Sequence, residues 1–345
     1  MSKKAGQQTV EFSEKISILS AAAIAGHREG MGPLAKYYDK ILEDAEWGED
    51  TWEKTESKMQ KTAISRAVEK ANIDLVDIDF LFAGDLLNQC TSSTFAFRDF
   101  GVPFLGVYGA CSTMAETIGL ASVMIDCGGA SACAAVTSSH FCTAERQYRF
   151  PLEYGGQRTP TAQWTVTGAG GVILGKNQSA PYVTHFTIGK IVDAGISDAN
   201  NMGAAMAPAA AETLLSHFKD TGRGPDFYDL ILTGDLGKIG KSILCDLLQE
   251  KGYNMHKNYN DCGCMVFDIN NSDIHGGGSG CGCGAITLCG YIWDMFKEGE
   301  IKNLLFVGTG ALLSPTSSMQ GESIPSVAHA IAISSEKKGE QLWTI

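Results

Sequence analysis

Cys111 is the side chain whose setting in the sequence most suggests chemistry. It follows a tight Gly109-Ala110 turn that leaves a strand expected over Val102–Val107. A helix then begins, with apolar residues at Met114, Ile118, Ala121 and Ile125 and a stop at Gly128-Gly129. A thiol at a helix N-terminus meets unpaired backbone N–H groups and the positive end of the macrodipole, and both favour thiolate. Such a site works either as a nucleophile or as an anion-binding floor, and residue types alone leave both open. A small residue that merely packs well at a sharp turn is the third reading.

Other candidates surround it in sequence. Asp85 ends the strand Phe80–Phe82 and is expected either in a cleft or capping the next helix. His140 closes a strand over Ala134–Ser139, and His275 before Gly276-Gly277-Gly278 competes with it. Arg146, Arg149 and Arg158 alternate with Tyr148 and Tyr154, offering charge and aromatic walls together, or a dimer interface knitted by arginine. Cys262-x-Cys264 and Cys281-x-Cys283 have spacing too short for an ordinary structural zinc site, so no metal is expected. The run Gly276–Gly280 lacks the Gly-Lys-Ser/Thr of a P-loop, and no cofactor is expected.

The elements that must position these residues come from an internal repeat. Asp79-Phe80-Leu81-Phe82-Ala83-Gly84-Asp85-Leu86 and Asp229-Leu230-Ile231-Leu232-Thr233-Gly234-Asp235-Leu236 match at one offset of 150 residues, from 79 to 229. Each follows a helical stretch, Lys58–Lys70 or Ala209–Phe218. In both halves a cysteine-started helix and a further strand come next: Ser131–Thr137 after Cys111, and Asn303–Val307 after Cys281 or Cys283. The recurring order predicts two duplicated α/β halves with largely parallel sheets, spanning 1–178 and 179–345. Ligands of such sheets sit beyond the carboxyl ends of strands, so the Asp85, Cys111, Asp235 and Cys281–Cys283 loops are expected to line one cleft.

Composition bounds the partners. The 345 residues carry 27 Lys and Arg against 39 Asp and Glu, a net charge of −12, which argues against nucleic acid or anionic lipid as main ligand. Eleven cysteines, odd in number and set within apolar segments, read as reduced thiols rather than a disulfide framework. No apolar stretch reaches the length of a spanning helix, so a soluble protein is expected.

A duplicated α/β half with a cysteine at its central helix N-terminus resembles the thiolase superfamily. Longer phrases sharpen this: Ala83–Gln89, Gly109–Thr113, Ser138–His140 with Ala144–Pro151 and Glu153–Gln157, Met206–Ala211, and Gly308–Thr316. Taken together, the whole chain resembles the stage V sporulation protein AD family. That resemblance implies a layered αβαβα fold and a spore component that binds dipicolinic acid, with Asp85, Cys111, His140, Arg146 and Arg149 as ligand-binding residues. It also implies membrane-protein partners in the spore's dipicolinate transport apparatus, a peripheral place at the inner spore membrane and a homodimer, and leaves open whether calcium enters with the ligand. Condensing enzymes of the superfamily pair their cysteine with histidine and asparagine or a second histidine. The matching loops here, Gly234–Gly237 and Gly277–Ser279, carry no histidine, so a binder without catalysis is expected. A cysteine-dependent acyltransferase using Cys111, with His140 or Asp235 as base, is the alternative.

Overall fold

The computed structural model describes residues 3–148, 158–176, 179–255, 257–268, 270 and 274–336. Its main strands are β1 (Thr9–Ala25), β2 (Phe80–Gly84), β3 (Phe104–Gly106), β4 (Ala132–Ser139), β5 (Gly168–Lys176), β6 (Tyr182–Thr187), β7 (Leu230–Thr233), β8 (Tyr259–Asp261), β9 (Asn303–Ala311) and β10 (Ser326–Ser334). The helices that matter for the site are α1 (Trp52–Ala71), α2 (Thr91–Phe97), α3 (Thr113–Asp126), α4 (Phe141–Tyr148), α5 (Met202–Thr221), α6 (Gly237–Glu250), α7 (Cys281–Ile286) and α8 (Trp293–Glu298).

Strand order across the sheet is β8-β7-β9-β10-β6-β1-β5-β4-β2-β3. This order is palindromic about the β6–β1 pair: β1 to β5 on one side answer β6 to β10 on the other, each in chain order. Pair types obey the same symmetry. β3–β2, β2–β4, β9–β7 and β7–β8 are parallel, and the inner pairs are antiparallel. The duplication seen in sequence is therefore a duplication of fold. The first residue of the repeat even keeps the same partners in both halves. Asp79 accepts from the Ser131 and Ala132 amides, and Asp229 from those of Lys302 and Asn303.

Two expectations are corrected. The sheet is mixed rather than largely parallel, because parallel pairs occupy only the outer part of each half. The inner strands run back antiparallel, β5 on β4 and β10 on β9, although a short helix lies between the members of each pair. The strand before Cys111 is also shorter than Val102–Val107. It covers Phe104–Gly106 at the sheet edge, with all three residues exposed.

Helices fill three layers around the two half-sheets. α1 packs on the outer face of the first half, and α5 with α6 on that of the second. Between them α3 touches strands of both halves, and α7 likewise. Met114, Ile118, Ala121 and Ile125, the apolar stripe read from sequence, all lie in this middle core. The result is an αβαβα sandwich with the Cys111 helix at its centre. The ends of α1 follow local chemistry: Thr51 caps the first turn by accepting from the Lys54 amide, and Asn72 closes the last in the left-handed conformation.

Candidate functional site

The turn that carries Cys111 is bent tightly and held on both sides. Ala110 has φ +50°, a left-handed conformation unusual for a residue with a Cβ. Local hydroxyls fix it: Ser112 Oγ donates to the Gly109 carbonyl at 2.7 Å and Thr113 Oγ1 to that of Ala110 at 2.6 Å. Glycines then let both half-sheets approach. A Cβ on Gly84 of β2 would overlap the Val107 carbonyl, and one on Gly310 of β9 the Gly109 carbonyl. The elbow is thus clamped where the two halves meet.

Cys111 is half-buried and faces a cleft of about 720 Å³, mouth included. Leu86, Ala110, Ala144 and Tyr148 wall the cleft from the first half, and Met202, Met206, Ser279 and Leu313 from the second. Tyr148 Oη donates to the Leu86 carbonyl and lies 2.9 Å from Tyr108 Oη. Beneath the cysteine stands Asp235, fully buried. It accepts from Thr309 Oγ1 at 2.7 Å, from the Gly280 amide at 2.8 Å and from Ser279 Oγ at 3.1 Å. Burial, followed by the negative charge of Asp235, pushes the Cys111 thiol well above its ordinary pKa. This corrects the expectation of a thiolate. Burial first, and Asp235 after it, outweighs the α3 dipole, so Cys111 presents a neutral thiol.

The cleft also carries Glu145, which pairs with Arg158 at 3.0 Å. Arg158 lies over the rings of Phe141 and Trp164, themselves stacked 4.1 Å apart. Gln163, Thr165 and Asn200 complete the polar lining, which among the described residues contains neither a cationic side chain nor a histidine.

The model of the stage V sporulation protein AD family matches residues 6–334. Stage V sporulation protein AD of Bacillus subtilis (strain 168) is 44% identical over 329 residues, 95% of this chain and 97% of that one. The chain belongs to the stage V sporulation protein AD family. Among solved structures it is similar to 3-oxoacyl-[acyl-carrier-protein] synthase III from Aquifex aeolicus VF5, at TM-score 0.58, 13% identity and coverage of 93% and 100%. It is also similar to cerulenin-bound OleA from Xanthomonas campestris, at TM-score 0.62, 14% identity and coverage of 94% and 98%. At such identities the likeness is one of fold, and that fold is thiolase-like.

In this family member the residues singled out in sequence do not all meet. Cys111 lines the cleft. Asp85 sits behind its wall, fully buried, accepting from the Leu87 and Ser93 amides and from Ser93 Oγ, which is the helix-capping alternative. His140 is buried with Nε2 2.9 Å from the Ala45 carbonyl and Nδ1 accepting from the Cys142 amide. Burial lowers its pKa. Arg146 pairs with Glu53 and lies over Trp52, away from the cleft. Arg149 lies outside the described residues. His275 is not among the lining residues. Replacing Arg146 by alanine is therefore expected to change ligand affinity by less than about 0.5 kcal/mol, the usual effect of a surface substitution. A tenfold loss in a titration would return Arg146 to the site.

Of the cleft residues, Met206 and Leu313 fall within family-specific phrases, and Glu145 and Tyr148 within the arginine-rich segment. Gln163 and Asn200 carry no local signal. They become neighbours only through the packing of the halves.

Buried acids are frequent in this chain. Burial raises Glu29, Glu116 and Asp261 to about 7 and Glu56 to about 8. Each binds its proton more tightly folded than unfolded, so its contribution is full at low pH and is lost as pH rises through the folded value. His217 and His329, lowered by burial to about 3 and about 4, work oppositely, but only below their unfolded value of 6.5. Between pH 6.5 and 8 the acids act alone. Stability is expected to fall by about 2–4 kcal/mol across that window, read from denaturant midpoints. A flat profile would contradict these shifts.

Proposed function

We propose that the chain is a non-catalytic binding protein for dipicolinic acid in the sporulating cell, with the Cys111 cleft as its ligand site. The observation that carries this reading is Cys111 itself: a neutral thiol above a buried Asp235, in a cleft with no histidine among its described lining residues. Claisen and acyl-transfer chemistry need an activated nucleophile and a base matched to it. Here burial, and after it Asp235, opposes thiolate formation. The chemistry of the cleft favours holding a ligand over transforming one. Dipicolinate as the ligand comes from the family resemblance.

Charge argues for the form in which it binds. A free dianion entering the described lining would meet Glu145, whose charge Arg158 already balances, and only neutral donors. A calcium chelate, in which the metal already balances both carboxylates, suits that lining better. Calorimetric titration with dipicolinate, with and without calcium, tests both points. Saturable heat is expected, stronger with calcium. No heat at millimolar ligand would sink the reading.

The second reading is acyl transfer, favoured by one observation, the half-exposed Cys111 at its elbow. Mass spectrometry after incubation with a panel of acyl-CoA thioesters decides it: a +acyl adduct on Cys111 supports transfer, and an unmodified peptide supports binding alone.

Partners follow from surfaces. No described helix is long and apolar enough to cross a membrane, so the proposed inner-membrane association runs through membrane proteins of the same spore complex. Strand β3 is an open edge with Phe104, Leu105 and the nearby Tyr108 exposed. Two copies paired edge to edge would cover it, and we propose a homodimer on this face. Sedimentation of Leu105→Lys should give monomer where the parent gives dimer. Identical sedimentation of the two would place any dimer elsewhere.

A further inference from the structure

Among the described lining residues of the cleft, the charged side chain is Glu145 of α4. Its carboxylate meets Arg158 at 3.0 Å, and both side chains are largely buried, Glu145 at 11% exposure and Arg158 at 20%. The Arg158 guanidinium does not itself line the cleft and stands one side chain behind the wall. Contacts other than Glu145 also hold it. Its central carbon lies 4.8 Å from the Trp164 ring and 5.6 Å from that of Phe141, and Arg28 lies 3.7 Å from the same Trp164 ring. Trp164-Thr165 pairs as a short strand with Gly278-Ser279, so this aromatic platform is fixed to the second half as well.

The neutral lining carries a complementary signal. Gln163 is only 5% exposed. Its Nε2 donates to the Asp235 carbonyl at 2.8 Å and to the Gly278 carbonyl at 2.7 Å. Carbonyls only accept, so the nitrogen is fixed on that side. Oε1 is then a buried acceptor with no partner among the described residues. An orphaned acceptor attracts a donor or a metal ion. Free dipicolinate offers it neither, because its carboxylate oxygens and ring nitrogen are all acceptors. The calcium chelate of the same molecule presents a metal.

Charge leads to the same choice. Glu145 and Arg158 cancel, and Gln163, Thr165, Asn200 and Ser279 carry no charge. A dianion entering such a lining gives up water without meeting an opposite charge, in a medium that screens poorly. A one-to-one calcium chelate carries no net charge to desolvate. Given the Cys111 cleft as the dipicolinate site, on which this inference rests, we propose that Glu145 is its specificity-determining residue. By engaging Arg158 it withholds that guanidinium from free carboxylates, and the cleft selects the neutral metal chelate of a flat aromatic dicarboxylate over the dianion. Glu145→Gln keeps the size of the side chain and removes only its charge. Arg158 then stays on its aromatic platform with its own charge turned to the ligand.

Calorimetric titrations of the purified full chain, with dipicolinate in calcium-free buffer and in excess calcium, read the ratio of the two affinities. In the parent the chelate should bind at least about tenfold more tightly, the lower end for a hydrogen bond to a charged group. Glu145→Gln should raise the affinity for free dipicolinate by about the same factor and abolish the preference. Arg158→Gln leaves the carboxylate alone and should widen the preference by a similar factor. The double variant is neutral again, and its ratio should return to that of the parent. Movement in opposite directions separates charge selection from simple damage to the cleft, which would weaken both forms in both variants. Equal affinity of the parent for the two forms, or one ratio in all four proteins, would overturn the proposal while leaving the cleft as the ligand site. Binding of neither form by the folded parent would overturn the ligand assignment and the proposal together. If Glu145→Gln fails to fold, Arg158→Gln decides, and a ratio that does not widen overturns the proposal.

Discussion

Gly310→Ala is expected to cost about 3 kcal/mol of stability, the upper end of the usual range for overpacking, and to weaken ligand binding with it. The added methyl meets the Gly109 carbonyl, a backbone atom that cannot rotate aside as a side chain would. Relief requires β9 or the elbow to move, and the elbow is already pressed from the other side by Gly84. Cys111 must shift relative to Asp235 as a result. Chemical denaturation and a ligand titration on the same preparation give both quantities. A variant within about 0.5 kcal/mol of the parent, with unchanged affinity, would show that the two glycines do not fix the elbow.

Filling the cleft tests it from within. Cys111→Trp places an indole among Leu86, Ala144, Tyr148 and Met206, in the space a flat ligand would occupy. Affinity for calcium dipicolinate should fall at least about a hundredfold, equivalent to about 3 kcal/mol. Cys111→Ser supplies the contrast. A hydroxyl replaces a thiol that is neutral in either case, so binding should survive nearly unchanged. An acyltransferase would lose its activity in both variants. Thermal melting of each variant separates a blocked cleft from a collapsed fold. Parent-like affinity of Cys111→Trp would place the ligand elsewhere on the molecule.

Much of the frame was legible because it depends on short-range pattern. The stripe Met114, Ile118, Ala121 and Ile125 marked the central helix, and α3 runs Thr113–Asp126. The Gly-Asp-Leu repeat marked equivalent strand ends, and Asp79 and Asp229 do the same work at the two strand starts. Pairing direction was not legible. It depends on where connections lead, and strands such as β5 and β10, buried throughout much of their length, read alike in parallel or antiparallel company.

The site was only partly legible, and helix phase explains one miss. On α4, Ala144, Glu145 and Tyr148 share a face at spacings of three and four, and that face is turned to the cleft. Arg146 is about 100° around the helix from Glu145 and meets Glu53 instead. A basic, aromatic segment therefore supplies an acid and a tyrosine to the cleft, while its described arginines are spent on Glu53 and Glu145. The fate of Asp85 and Asp235 was beyond local pattern for another reason. The two occupy identical places in the repeat, yet Asp85 accepts from the local Leu87 and Ser93 amides, while Asp235 underlies the cysteine and accepts from the Gly280 amide that precedes α7.

Isothermal titration of the purified chain with dipicolinate in the presence of calcium tests the central claim most directly. A saturable one-to-one isotherm that disappears in Cys111→Trp and persists in Cys111→Ser is predicted. Absence of heat up to millimolar ligand in a folded parent protein would contradict it.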